Sequence, residues 1–261
     1  MATRRPPLQV TLSVWKALLL REALTRLFKG RASWFWLVAE PLAHIAILSF
    51  LFTVIRQRTI ANMESELWLV LGLVGFFSFR RTAGQGGAGI ASNRSLFVYR
   101  QITPVDAILV RSLIEILLMV IVAIIAFIGI GMYGLDIIPH DPLLVLSAWS
   151  GVWLFGVGFG LVLSVFNELL PEIGSILKLL MRPLYLMSGV LIPISIIPEP
   201  YQSYLMYNPI ANGLEGMRSG FSPFYHEVPS TSVSYLHLCS LCLLVTGFLA
   251  HRRFRKELIS K

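Results

Sequence analysis

Residues 20–44 read LREALTRLFKGRASWFWLVAEPLAH, a basic amphipathic segment that passes through one glycine into a hydrophobic run. At 100° per residue, Leu20, Leu24, Leu27 and Phe28 fall on one face of a helix and Arg21, Glu22, Thr25, Arg26 and Lys29 on the other. Such a helix is expected to lie along a membrane surface. Its apolar side chains enter the acyl boundary, its cations stay near anionic headgroups, and Gly30 lets the chain turn into the bilayer. Residues 34–55 then hold only Glu40 and His44 as ionisable groups, and a run of about 20 apolar residues is what a hydrocarbon core about 30 Å thick demands. The competing reading, the first helix of a soluble basic domain, leaves that run unexplained.

Composition extends the argument to the whole chain. Of 261 residues, 56% are hydrophobic and 14% charged, against about 25% charged in soluble domains. The apolar runs recur at span length, so the expected class is a polytopic helical membrane protein. Six spans fit, at residues 34–55, 67–91, 105–131, 143–166, 173–194 and 233–250.

A formal charge of +8 raises the question of nucleic acid, and the placement of the 22 Lys and Arg residues answers it. Seven lie from Arg4 to Arg31, Arg94 and Arg100 lie between the second and third spans, and Arg252, Arg253, Arg255, Lys256 and Lys261 follow the last. Only Arg56, Arg58 and Arg218 fall in the opposite loops. That asymmetry is the mark of membrane topology, with both termini cytoplasmic. The N-terminal MATRRPPLQV has no apolar core of signal-peptide length, so the first segment is expected to be kept. Residues 195–232 are rich in Pro, Tyr and Asn yet too apolar for a water-exposed loop. They are expected to form short helices or a re-entrant hairpin, since irregular backbone at that depth must be buried in protein or line a cavity.

Several motif matches mislead. Gly84, Gly86 and Gly89 spell G-x-G-x-x-G with Asp106 downstream, but inside a span without a βαβ unit these small residues are expected to serve helix packing, as do Gly156 and Gly160. His237, Cys239 and Cys242 form H-x-C-x-x-C without a second cysteine pair, which leaves any zinc shell incomplete. Glu40 and His44, one turn apart, read as a polar contact within the protein. No G-x-x-x-x-G-K-[ST] occurs, so ATP is not bound here by that loop. No metal site and no catalytic cluster is expected in this chain.

The cations within spans carry more. A charge at mid-bilayer costs about 3 kcal/mol on insertion scales and faces protein or a water-filled path. Arg80 and Arg81 lie deep in the second span, and Lys178, Arg182 and Tyr185 follow i, i+4, i+7 spacing on the fifth. Facing a shared cavity they suit an anionic cargo; snorkelling to the inner interface is the competing reading, and Arg111 can pair with Glu115 one turn on. Phe76, Phe77, Phe79, Trp149, Trp153 and Phe159 either pack between helices or offer planes against which sugars slide. Residues 91–104 place Leu96, Phe97, Tyr99 and Ile102 beside Arg94 and Arg100 and stop at Pro104. Apolar anchors flanked by arginines predict a surface that docks a soluble partner.

Together REALTRLFKGRASWFWLVAEPLAH (21–44), SNRSLFVYRQITPVDAILVR (92–111) and RPLYLMSGVLIPISIIPEPYQSYLMYNPIANGLEGMRSGF (182–221) resemble membrane subunits of type-2 ABC exporters. The resemblance is strongest to the capsular polysaccharide (KpsM-type) branch of Gram-negative bacteria, with O-antigen and teichoic acid exporters as relatives. It implies an all-α ABC-2 transmembrane domain with six helices per subunit, spanning the bacterial inner membrane. It implies too that the subunit works as a homodimer with two ABC ATPase subunits, which would bind ATP and magnesium. Residues 11–30 would be the interfacial gate helix, with Arg21, Glu22 and Arg26 on its polar face. Residues 91–104 would be the coupling helix, through Asn93, Arg94, Leu96, Phe97, Tyr99, Arg100 and Pro104, and 195–232 the outer re-entrant cap. The implied cargo is a lipid-linked acidic polysaccharide. The path expected from the charge and aromatic arguments above, not from the resemblance, runs past Arg80, Arg81, Lys178, Arg182, Tyr185, Phe77, Phe79, Trp149 and Trp153, and outer-membrane machinery is a further expected partner. The alternatives are export of O-antigen, teichoic acid or a small molecule by the same architecture, or a partner-independent membrane enzyme.

Overall fold

The computed structural model describes residues 7–28, 30, 32–55, 59–99 and 101–260. Arg4, Arg5, Lys29, Arg31, Arg56, Arg58, Arg100 and Lys261, all used in the charge and docking arguments, lie outside the described residues. The described residues are mainly helical: α1 (Pro7–Phe28), α2 (Ser33–Ile55), α3 (Ser65–Gly87), α4 (Pro104–Gly131), α5 (Pro142–Leu169), α6 (Pro171–Met187), α7 (Tyr201–Leu205), α8 (Pro209–Phe221), α9 (Val233–Arg253) and α10 (Arg255–Ser260). Among the described residues four helices are long and apolar enough to cross a membrane: α2, α4, α5 and α9. α3 carries Arg80 and Arg81, and α6 has 17 residues.

Local chemistry sets the boundaries. α4, α5, α6 and α8 each begin at a proline, whose missing N–H belongs to a first turn that has no partner for it anyway. Pro104, expected to end the coupling segment, is therefore the first residue of α4. Thr103 and Asp106 close a reciprocal capping box around it. Asp141 and Asn208 cap α5 and α8 with their side chains. α6 stops at Met187, seven residues short of the expected span end, because Gly189 takes φ +71°, a left-handed turn open to glycine. Between α2 and α3 a two-strand hairpin, β1 (Thr59–Ile60) and β2 (Met63–Glu64), reverses the chain through Ala61 and Asn62, both with positive φ.

α3 is the centre of the molecule. Its residues from Leu67 to Phe77 are almost without exposure, since α2, α4, α5 and α8 pack around it. Glycines permit that closeness: a Cβ on Gly86 would stand 3.2 Å from the Gly160 Cα, and one on Gly156 would stand 3.0 Å from the Phe79 carbonyl. Gly89 meets Ile108 in the same way, while Gly84 meets nothing within 4 Å. The dinucleotide-like motif is thus mostly a helix-packing surface. The segment from Ser188 to Ser232 folds as a 3₁₀ turn (Ile194–Ile196), α7 and α8, and α8 is buried against α3, α5 and α9.

Candidate functional site

α1 is amphipathic, but its polar face points inward. Leu20, Leu24 and Phe28 are open on the molecular surface. Leu18 packs with Val14 and Trp15 against Val110 and Ile114 of α4, and Glu22, on the same side, is buried. The expectation that Arg21, Glu22 and Arg26 face headgroups is corrected here. Apolar side chains face out, where acyl chains would solvate them, and the charges find partners in protein.

Those partners form one network. Arg26 Nε donates to Glu22 Oε1 at 2.9 Å, and its Nη1 pairs with Glu115. Arg81 Nε donates to the other oxygen of Glu115 at 2.9 Å. Arg111 lies 3.5 Å from Glu22, and both Arg26 and Arg111 donate to the Gln85 amide oxygen. Glu115 has no exposure at all. Arg81 therefore turns away from any cavity it shares with Arg80 and serves as a strut between α3 and α4. Arg111 does not pair with Glu115 one turn on; it reaches back to α1.

The segment 91–104 adjoins this network. It contains one 3₁₀ helix, Ala91–Leu96, then a turn. Asn93 is buried, donates to the Gly89 carbonyl at 2.9 Å and accepts from the Arg21 guanidinium, tying α1 to the segment. Arg94 pairs with Glu168 at the end of α5. Leu96 and Ile102 lean on the Val14–Leu18 face of α1. Phe97, expected as an exposed docking anchor, is instead core: it packs with Ile90, Ile108, Val157, Leu161 and Leu258. Val98, at 83% exposure, and Tyr99, at 64%, are the open apolar side chains.

A second constellation lies where α2, α3 and α6 meet. The Arg80 guanidinium sits 4.9 Å from the Phe77 ring centroid, and His44 meets the same ring edge-on at 5.1 Å. Tyr185 contacts Phe76 at 5.0 Å, and both Tyr185 and Glu40 lie within electrostatic range of Arg80. Glu40, His44 and Arg80 are open on the surface, as are Lys178 and Arg182 along α6. The remaining expected pathway aromatics point elsewhere. Phe79 has no exposure and packs on Phe155 and Phe159. Trp149 donates to Ser78 Oγ at 2.8 Å, and Trp153 to the Ser112 carbonyl at 3.1 Å. In the protomer these three bind helices together. His237 meets Ser147 at 3.1 Å, and Cys242 is exposed beside a half-buried Cys239.

One cluster had no reading in the sequence beyond a loop charge. Arg218, on α8, is wholly buried: it lies over the Trp68 ring at 3.8 Å, pairs with Glu215 at 2.8 Å and donates to the Gly189 carbonyl at 2.9 Å. Tyr225 donates to the second Glu215 oxygen at 2.8 Å. The i, i+3 spacing of Glu215 and Arg218 was its one available signal.

Comparison with known proteins agrees with this architecture. The family model described as ABC-2 type transporter matches residues 13–222. The chain is 34% identical over 242 residues, 93% of each chain, to the polysialic acid transport protein KpsM of Escherichia coli. It is 28% identical over 92% of its length and 90% of the relative's to the capsule polysaccharide export inner-membrane protein CtrC of Neisseria meningitidis. To the corresponding BexB of Haemophilus influenzae it is 27% identical over 93% and 91%. A chain with four helices, among the described residues, long and apolar enough to cross a membrane, an inward-facing basic helix and this family match over most of its length belongs to the ABC-2 type transporter membrane family.

Proposed function

We propose that this chain is the membrane subunit of an ATP-driven exporter that moves a lipid-linked acidic capsular polysaccharide across the bacterial inner membrane. Two copies form the path, with six spans each and both termini cytoplasmic. Two separate ATPase subunits bind at residues 91–104 and hold ATP and magnesium. The observation that carries the reading is the open Arg80 on the Phe77 face, within electrostatic range of Tyr185 on α6, a helix that also exposes Lys178 and Arg182. A guanidinium at that depth is costly against lipid and fits a water-filled path for a polyanion. The relatives' printed roles, polysialic acid transport and capsule polysaccharide export, agree with it.

Transmission follows the contacts. ATPase closure would push on Val98 and Tyr99 and the groove beside them, lined by Val14, Leu18, Arg21, Leu96 and Ile102. Asn93 and Leu96 hand the displacement to α1, and Arg26 hands it through Glu115 to Arg81 on α3. α3 also carries Phe77 and Arg80. One rigid helix therefore joins the drive to the path.

The test is export in a capsulate bacterium whose own membrane subunit is deleted. The native chain with its ATPase partner should restore surface polymer, and Arg80→Ala or Arg182→Ala should cut it while membrane insertion and ATPase copurification persist. Unchanged surface polymer in both variants would overturn the charge-lined path. Failure to copurify with any ATPase subunit would overturn the exporter reading itself.

A further inference from the structure

The open face of α2 and α3 holds a carboxylate that the path does not need for attraction. The β1–β2 hairpin makes α2 and α3 run antiparallel, and His44 meets Phe77 across them. One turn from that contact towards α1, four residues back along α2 and three forward along α3, stand Glu40 and Arg80. Glu40 is the foremost charge acting on Arg80, yet among the described residues the two form no direct ion pair. The guanidinium rests on the Phe77 ring with its N–H groups free of described hydrogen-bond acceptors. Beside it the Tyr185 hydroxyl, buried, has no hydrogen-bond partner among the described residues. The open Arg80 guanidinium thus has a carboxylate and an unpartnered hydroxyl within electrostatic range and no hydrogen-bond acceptor among the described residues.

We propose that Glu40 is the resident counter-ion of Arg80 and is displaced by each acidic sugar that reaches the exposed guanidinium, which makes it a selectivity and release residue of the polymer path. The inference rests on the path reading above. Water in an empty path only partly offsets the cost of a cation at that depth, and Glu40 supplies the opposite charge. When a sugar carboxylate arrives, Arg80 donates to it, and Glu40 repels it. Binding is then favourable enough for entry and weak enough for departure, the condition any multi-site conduit must meet. A neutral polymer gains nothing from Arg80 that it does not lose by separating Arg80 from Glu40, so the pair also discriminates against it.

The experiment uses the complete transporter with its ATPase subunits in lipid nanodiscs, and fluorescent oligomers of sialic acid and of dextran as probes. Glu40→Gln should bind the acidic oligomer about 5- to 10-fold more tightly at low salt, a shift of order one kcal/mol in binding, with dextran binding unchanged. Arg80→Gln should weaken the acidic oligomer only. In cells, Glu40→Gln should slow export despite tighter binding. If Glu40→Gln binds the acidic oligomer as the native protein does, or less tightly, while Arg80→Gln weakens it, the counter-ion role is overturned and the path stands. If neither variant changes binding, the path reading at Arg80 falls. Glu40→Asp carries the same test should the glutamine variant fail to fold. Its shorter arm draws the carboxylate away from Arg80, so it should tighten binding to a lesser degree, and native binding would overturn the proposal.

Discussion

Glu115 takes Arg81 on one carboxylate oxygen and Arg26 on the other, so a single buried side chain of α4 holds α3 and α1 together. With Arg111 and Glu22 the cluster sets three arginines against two glutamates. Glu115→Gln leaves three cations against one carboxylate, and breaking a buried pair in this way costs about 3–5 kcal/mol. The variant should lose thermal stability in detergent and most export. Removing the excess charge with Arg81→Gln in the same chain should recover part of that stability, and a double-mutant cycle on unfolding temperature measures the coupling. Additive losses would show that Arg81 and Glu115 act independently.

Asn93 is the next link. Asn93→Ala removes the acceptor for Arg21 and the donor to Gly89. If the segment drives α1 through that contact, the variant complex should still assemble and hydrolyse ATP while export falls several-fold. Arg21→Ala should give the same uncoupled pattern. ATPase rate and surface polymer measured on the same preparations decide it; loss of complex assembly would assign Asn93 to docking instead.

Much of the fold was legible in the residues. The apolar runs located helices because length and hydropathy act locally, and the prolines at the starts of α4, α5, α6 and α8 needed only their own backbone. The basic face of α1 was legible as a face, but not its direction. An amphipathic pattern says that two sides differ, whereas Glu115 and Gln85, some 60 to 90 positions away, decide which side meets protein. Phe97 failed for the same reason: flanking arginines look like a docking rim, but Ile90, Ile108 and Leu258 close over the ring. Arg80 and Arg81 are adjacent and chemically identical. The 100° between them on α3 sends one to Phe77 and the other to Glu115, a separation that helical geometry permits and only the neighbouring helices assign.

The buried cap on α8 should behave as a structural keystone. Arg218→Met leaves Glu215 charged and unpaired in the interior, at a cost of about 3–5 kcal/mol. Arg218→Lys should not rescue it, because a point charge cannot stack on Trp68 and donate to both Glu215 and Gly189. Gly72→Ala should mimic the defect, since its Cβ would stand 2.6 Å from the Arg218 Nη2. Unfolding temperature checks all three.

Tyr225 gives that cap a pH signature. Burial pushes its hydroxyl well above the usual tyrosine range; Arg218 opposes the rise, and Glu215, which accepts its proton, adds to it. A pKa raised in the folded state favours the neutral form there. Its stabilisation is full below the ordinary tyrosine pKa of about 10 and declines as pH climbs from there towards the folded value. Tyr225→Phe should lower the unfolding temperature at neutral pH, by losing a hydrogen bond to a charged group worth about 1.5–3 kcal/mol. The gap to the native protein should narrow above pH of about 10. A constant gap across that range would exclude titration of this hydroxyl.

The glycines of α3 offer a test in which neighbouring, like residues should respond oppositely. Gly84 has open space where a Cβ would go, so Gly84→Ala should raise stability by about 0.5–1 kcal/mol through helix propensity alone. Gly86 lies against the Gly160 backbone, which cannot step aside as a side-chain tip would. Gly86→Ala must separate α3 from α5 and should cost more than propensity returns, about 1–3 kcal/mol of overpacking strain. Paired unfolding curves in one detergent give the sign of each change. Equal stabilisation of both variants would mean that α3 and α5 do not meet at Gly86. A nucleotide role for the motif predicts instead that both variants lose function without either losing stability.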